Sequence, residues 1–202
     1  MNRRLQSGQV WAAGAFGALC LAIQLLLPAP LLDSAMQIAF AAASLVALRS
    51  SGVLDELAEF SDYGNPSLQA LARIAPILVI VQLWMGTALH YGSLGPLPHV
   101  LGAMLVSAYL LYFATGILEP APAGHPTRIA ALSVLFVIGL QVLFGVGAYV
   151  VRFAQSGPNL LPQTQLFSRL HVVTGTLLLG LTAVLAQLVQ RSSRRPEVHG
   201  SV

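Results

Sequence analysis

Apolar residues run through the chain in long blocks, and charges mark the gaps between them. No charged residue lies between Arg4 and Asp33 or between Asp33 and Arg49. From Arg73 to Glu119 the only titrating side chains are His90, His99 and tyrosines, and the pairs Arg128/Arg152 and Arg169/Arg191 bracket two further blocks. A membrane-spanning helix needs about 20 mainly apolar residues. The pattern predicts six, over 9–29, 32–49, 71–92, 97–118, 128–152 and 166–190. The second is short, and Arg49 at its end would reach the surface by snorkelling. Turn residues fill the gaps: Pro28-Ala29-Pro30, the stretch Gly92 to Pro98, and the stretch Pro120 to Pro126. The first block follows Arg3-Arg4, as in a signal peptide. Its apolar run is longer than the usual roughly 7–15 residues, and no small-x-small cleavage site follows, so a retained helix is expected.

Composition agrees. Of 202 residues 56% are hydrophobic and 8% charged, with a mean hydropathy of +0.76. A soluble domain carries about 25% charged residues, so a water-facing globule is excluded and membrane lipid is the expected surrounding. Disorder is excluded too, and a net charge of +3 gives nucleic-acid binding no support. The single cysteine, Cys20, removes internal disulfides, cysteine-rich zinc sites, iron–sulfur clusters and a CxxCH haem attachment. No lysine is present, so no Schiff base with retinal or pyridoxal can form.

The arginines set an expected orientation, because cytoplasmic loops are enriched in them. With the N-terminus inside, Arg3, Arg4, Arg49, Arg73, Arg128, Arg191, Arg194 and Arg195 are cytoplasmic, and Arg152 and Arg169 are outside. Both termini are then cytoplasmic, in a prokaryotic cytoplasmic or a mitochondrial inner membrane. The expected divisions are two N-terminal helices (1–50), a cytoplasmic acidic loop (51–70), a four-helix unit (71–190) and a basic cytoplasmic tail (191–202). The loop holds Asp55, Glu56, Glu59 and Asp62. It reads as solvated and partly helical.

Segments three–four and five–six look like two copies of one unit. Gln82-Leu83-Trp84-Met85-Gly86 matches Gln141-Val142-Leu143-Phe144-Gly145, and the helix that follows each opens with a histidine, His99 and His171. Residues four apart share a helix face, so Gln82, Gly86 and His90 line up, as do Gln141, Gly145 and Tyr149. The fold class is therefore all-α and membrane-embedded, with the last four helices an antiparallel bundle of two pseudo-repeats. Helices four and six are diagonal in such a bundle, which turns His99 and His171 towards each other near the outer face. Gly102, Ala103, Thr174 and Gly175 leave clearance one turn deeper.

Two neutral imidazoles across an apolar core fit the axial positions of one b-type haem iron, whereas zinc would want about four ligands. Arg152 and Arg169 suit the haem propionates. His90, Gln82 and Gln141 are possible pocket residues, and the glutamines also fit as interhelical hydrogen-bonding groups. His125, in a Pro-rich turn, and His199, in the tail, read as solvated. Asp33 is the only acid predicted on the outer side.

The stretch Leu140 to Ala148 followed by His171, and the stretch Gln82 to Ala88 followed by His99, resemble the haem A synthase family over roughly residues 71–190. The resemblance implies one four-helix half of such a synthase, with His99 and His171 in the places of the axial histidines. The family's E-x-x-H-R pattern is replaced here by Ser168-Arg169-Leu170-His171-Val172, and no outer cysteine pair is present. One bis-histidine site suits one-electron transfer within a respiratory or haem-maturation system, with a redox partner or respiratory complex, or an oligomer, as its setting. Haem A synthase activity on haem O is an alternative, as is a cofactor-free structural or assembly subunit of a respiratory complex. A small-solute transporter would more typically show inverted repeats and a broken helix.

Overall fold

The computed structural model describes residues 3–27, 30–153 and 162–195. Among them run α1 (Arg3–Leu26), α2 (Pro30–Ser50), α3 (Leu68–His90), α4 (Pro96–Leu118), α5 (Pro126–Phe153) and α6 (Pro162–Ser192), with two-residue strands β1 (Phe60–Ser61) and β2 (Ser193–Arg194). All six helices are long and apolar enough to cross a membrane, so the chain is an integral membrane protein. Each predicted segment is a helix. Several begin earlier than the apolar runs do, because Pro30, Pro96, Pro126 and Pro162 each open a helix, where a missing N–H does no harm.

Local chemistry fixes the helix ends. Ser67 caps α3, its Oγ accepting from the Ala70 N–H at 3.2 Å. At the other end of α3, Gly92 takes φ +79°, a conformation other residues avoid, and the Ser93 and Leu94 N–H groups both reach the Ala88 carbonyl, at 2.8 and 3.1 Å. Arg128 donates to the carbonyls of Leu118 and Ala121 and so satisfies the end of α4. Arg49 is exposed at the end of α2, as snorkelling requires, and donates to Gln187 Oε1 at 3.3 Å.

Helix α6 is the centre of the molecule. It packs against α1, α2, α3 and α5, while α4 packs against α3 and α5. Of its apolar span 56% is buried, against 28% or less for every other helix. Without a hydrophobic drive between helices in lipid, close approach and hydrogen bonds hold them together. Both are present here. A Cβ on Gly180 would lie 2.5 Å from Phe40 Cε1 and 3.0 Å from Ser44 Oγ, so α2 rests on the bare α6 backbone. Thr176 Oγ1 donates to the buried Gln24 Oε1 at 2.8 Å and ties α1 to α6.

Burial is graded along the helices. The core of α3, α4 and α5 lies at the end next to the 51–67 connection, around Ala72, Leu110, Phe113, Ile117, Ala131 and Val134, all fully buried. No residue from 80 to 109, and none from 139 to 151, is buried. The opposite end carries His99 and His171.

The acidic loop departs from expectation. It holds turns and a two-residue strand in place of helix, and it is pinned down. β1 pairs in parallel with β2, Phe60 opposite Ser193 and Ser61 opposite Arg194. Asp62 is buried and accepts from the Gly64 and Leu68 N–H groups at 2.9 and 2.7 Å. Its acceptor capacity is spent on backbone that no helix satisfies, which is why this acid lies inside. His125 is likewise buried, not solvated. Its Nδ1 accepts from Thr127 N–H at 3.2 Å, so Nε2–H donates to the Ala58 carbonyl at 3.0 Å, and Phe60 meets the ring edge-on at 5.6 Å. The Arg194–Glu59 pair at 2.9 Å is half exposed and adds little. His199 lies outside the described residues.

Gly180→Ala is expected to lower thermal stability in detergent, by about 1–3 kcal/mol, because Phe40 and Ser44 must give way. Gly139→Ala, where a Cβ meets nothing within 4 Å, is the control and is expected to be neutral or stabilising by up to about 1 kcal/mol. Equal losses at both positions would show that α2 does not rest on Gly180.

Candidate functional site around His99 and His171

His99 sits in the first turn of α4, three residues after the opening Pro96, and faces α3. Gln82 on α3 places its Nε2 2.9 Å from His99 Nδ1 and 2.9 Å from the His99 carbonyl. One turn along α3, a Cβ on Gly86 would lie 3.0 Å from His99 Cε1, so the imidazole rests on bare backbone. Gly102, on α4, lies against the same glutamine, with Oε1 only 2.5 Å from where its Cβ would be.

His171 on α6 meets the corresponding glutamine and glycine of α5. Its Nδ1 is 3.0 Å from the Gln141 carbonyl, which can only accept, so Nδ1 carries the proton. Nε2, 3.5 Å from Gln141 Nε2, is then the ring nitrogen with a lone pair. A Cβ on Gly145 would lie 2.8 Å from His171 Cε1. Thr174 donates to Gln141 Oε1, and Gly175 lies 3.2 Å from Gln141 Nε2 by the same Cβ measure. Each histidine therefore has a glutamine and a glycine, four residues apart, on the preceding helix.

The two imidazoles meet. Their centres are 6.2 Å apart and their planes are inclined at 85°. The other residues singled out in the sequence are placed differently. His90 is exposed and lies edge-on to Tyr91 at 4.8 Å. Arg169 donates to the Leu25 carbonyl at 3.1 Å and so closes the end of α1. Arg152 is in the last turn of α5, and its side chain lies outside the described residues. Tyr149 is exposed.

A second polar cluster escaped the sequence. Asp33, in the first turn of α2, is buried at 4% exposure. Its Oδ2 accepts from the Tyr91 phenol at 3.1 Å, its carbonyl accepts from Gln24 Nε2 at 3.0 Å, and its Oδ1 has no partner. Partial burial, together with the charge and acceptor of Asp33, pushes the Tyr91 phenol up to about 12. It therefore stays a donor throughout the usual pH range. The signal was available: one acid at the head of an otherwise uncharged segment.

Among the described residues no group of three or more His, Cys, Asp or Glu is close enough to hold a bare metal ion. A pair of imidazoles suits a metal that arrives with most of its ligands already in place, as porphyrin iron does. No family model matches the chain, and neither a curated protein nor a solved structure matches it.

The two imidazoles are held differently, and this can be read in solution. The backbone carbonyl of Gln141 holds His171 Nδ1–H, so Gln141→Ala is expected to leave that tautomer in place. Gln82→Ala removes the side chain that holds His99 and is expected to release it into a tautomer mixture. Imidazole ¹⁵N chemical shifts in detergent micelles distinguish the two. A changed His171 tautomer in Gln141→Ala would refute the backbone assignment.

Proposed function

We propose that the chain is a b-type cytochrome of the membrane, holding one haem between His99 and His171. The spacing of the two rings carries the proposal. A first-row metal bonds an imidazole nitrogen at about 2 Å and each ring centre lies about 1 Å behind that nitrogen, so two trans imidazoles sit about 6 Å apart, centre to centre. The observed 6.2 Å agrees, and perpendicular ring planes suit opposite faces of one macrocycle. On this reading α3 to α6 act as an antiparallel bundle of two pseudo-repeats. The matched contacts Gln82–Gly86–His99 and Gln141–Gly145–His171 support it.

The residues present fit the group. Gly86 and Gly145 let the two imidazoles rest on backbone, where a side chain would push each ring out of place. Gln82 Oε1 is buried without a partner, beside a histidine whose Nδ1 lies against the other arm of the same amide. A half-turn of that amide sets Oε1 on an Nδ1–H, as the Gln141 carbonyl already is for His171. It also turns Oε1 towards the His99 carbonyl that Nε2 now bonds, so the amide must move off that carbonyl as it turns. Both Nε2 atoms then present lone pairs. Hydrogen bonding of the second nitrogen also fixes ring orientation and raises ligand basicity.

A haem held by His99 and His171 would supply one-electron exchange. The chain's contribution is to hold two neutral rings, keep their Nδ1 protons on Gln82 and Gln141, and surround the site with apolar helices. The arginine bias puts the site at the outer face and both termini in the cytoplasm. Arg49, Arg128, Arg191 and Arg194 sit at or beyond helix ends on the loop side, which supports that orientation. A redox partner within a respiratory or haem-maturation system follows from one-electron chemistry at a membrane surface.

The test is spectroscopic. Purified protein is expected to give a reduced-minus-oxidised difference spectrum of low-spin b type at one haem per chain. His99→Ala and His171→Ala are each expected to abolish it. Gly145→Ala, which drives a methyl group into His171, is expected to lower haem occupancy while Gly139→Ala leaves it unchanged. A colourless protein, or a spectrum that survives both histidine substitutions, overturns the assignment.

A further inference from the structure

We propose that Asp33 and Tyr91 form the binding site of a lipid-borne hydroquinone, the electron donor to the site between His99 and His171. This identifies a substrate class for the preceding function and rests on it.

The unpartnered Oδ1 of a carboxylate that is 4% exposed is the starting point. Every other polar atom of this cluster is satisfied. Tyr91 holds Oδ2, Gln24 Nε2 holds the Asp33 carbonyl, and Thr176 holds Gln24 Oε1. The remaining oxygen wants a hydrogen-bond donor. A hard cation would need about six oxygens, and Asp33 is the only acid among the described residues at this end of the helices. An anion is excluded by the charge of the carboxylate. What fits is a neutral molecule with an O–H group that dissolves in lipid.

Tyr91 indicates the geometry. An aromatic hydroxyl already bonds this carboxylate at 3.1 Å, and a hydroquinone carries the same group twice. His90 and Tyr91 are both exposed, with rings edge-on at 4.8 Å, and offer flat surface beside the acid. Asp33 stands near the start of the apolar span Leu32–Ser50. Gln24 links it to Thr176, which lies five residues beyond His171 on α6, about 7.5 Å along the axis. The acid and the imidazole pair thus share a helix and an end of the molecule.

The chemistry balances. Both O–H bonds of the hydroquinone break and its two oxygens become quinone carbonyls. Each protein molecule would take one electron on its ferric haem and release a semiquinone, and two semiquinones would disproportionate to one quinone and one hydroquinone, so that one hydroquinone is consumed per two haems. The first proton passes to Asp33 Oδ1, and both protons leave to water at the exposed His90 face.

Haem-loaded protein in detergent micelles, mixed without oxygen with a decyl-substituted benzohydroquinone, tests this. Haem reduction is expected, at one hydroquinone consumed per two haems. Asp33→Asn keeps an oxygen for Tyr91 but places an N–H where the ligand's O–H would come. It is expected to slow reduction at least about tenfold, with the dithionite-reduced spectrum unchanged. Binding without electron transfer gives the second readout. In a His99→Ala background the same hydroquinone is expected to bind by equilibrium dialysis, and Asp33→Asn is expected to remove that binding. If Asp33→Asn does not fold, Tyr91→Phe leaves the carboxylate intact, and retained or tighter binding is expected. Wild-type protein that dithionite reduces and the hydroquinone does not overturns the donor site and leaves the haem standing. So does equal reduction of Asp33→Asn and wild type, or loss of binding in Tyr91→Phe. A colourless protein whose hydroquinone binding depends on Asp33 overturns the haem and leaves the binding site.

Discussion

An imidazole placed among apolar helices in lipid must bond its Nδ1 to something, because no water is at hand and an unpaired polar group is expensive there. That requirement explains most of what surrounds His99 and His171. Each needs an acceptor or donor on a neighbouring helix, and each needs room, since an imidazole is wider than the gap between two closely packed helices. A glutamine and a glycine one helical turn apart supply both from one face. The glutamine reaches the ring, and the glycine lets the ring lie on backbone, with Cβ positions at 3.0 and 2.8 Å from the two Cε1 atoms. The four-residue spacing is thus set by helix geometry. A ring and its support come from consecutive helices, so the arrangement needs only a short connection. From Tyr91 to Gly95 that connection is a glycine turn.

Helix α6 makes polar contacts on two faces. His171 and Thr174 bond towards Gln141 on α5, while Thr176 bonds towards Gln24 on α1. Residues 174 and 176 are about 200° apart around a helix, so the polar groups of the two clusters do not compete. The apolar remainder of α6 packs on α2 through Gly180, and α6 also packs on α3. This two-sided demand is the physical reason why α6 alone has more than half of its span buried. It also ties α1 to α6 by a buried hydrogen bond, beside the close packing of α2 on Gly180.

The spans were legible because membrane crossing requires unbroken apolar length, and each block shows that without regard to neighbours. The pairing of Gln82 with His99 and Gln141 with His171 was half legible. Four-residue spacing put Gln82 and Gly86 on one face, but which nitrogen each glutamine would meet depends on helix rotation, which composition does not encode. The contact of Arg169 was hidden for the same reason: it stands two residues before His171, and its side chain bonds the Leu25 carbonyl on α1. His125 and Asp62 were illegible because both satisfy irregular backbone, His125 on Ala58 and Asp62 on Gly64 and Leu68. Irregular backbone leaves no periodic trace. The Asp33–Tyr91 contact joins residues 58 apart in sequence and depends on how α2 meets the end of α3.

The burial gradient shows how such a site can be both open and held. The dense core sits at the loop end, where Asp62, His125 and the β1–β2 pair lock the 51–67 connection over α5 and α6. Helices fixed at one end keep their rotation along their length, so His99 and His171 stay in register without tight packing around them. The cost of opening rises with buried apolar area and falls where it is absent. No residue from 80 to 109 is buried, so the histidine ends of α3 and α4 can part with little loss while the far ends remain closed. A flat ligand entering from that side would meet two imidazoles already oriented and would contribute the packing that the helices lack there. Glycine at 86 and 145 makes room for the two imidazoles, and glycine at 102 and 175 makes room for Gln82 and for Leu83 and Gln141, so the positions of the rings and of their glutamines both depend on bare backbone.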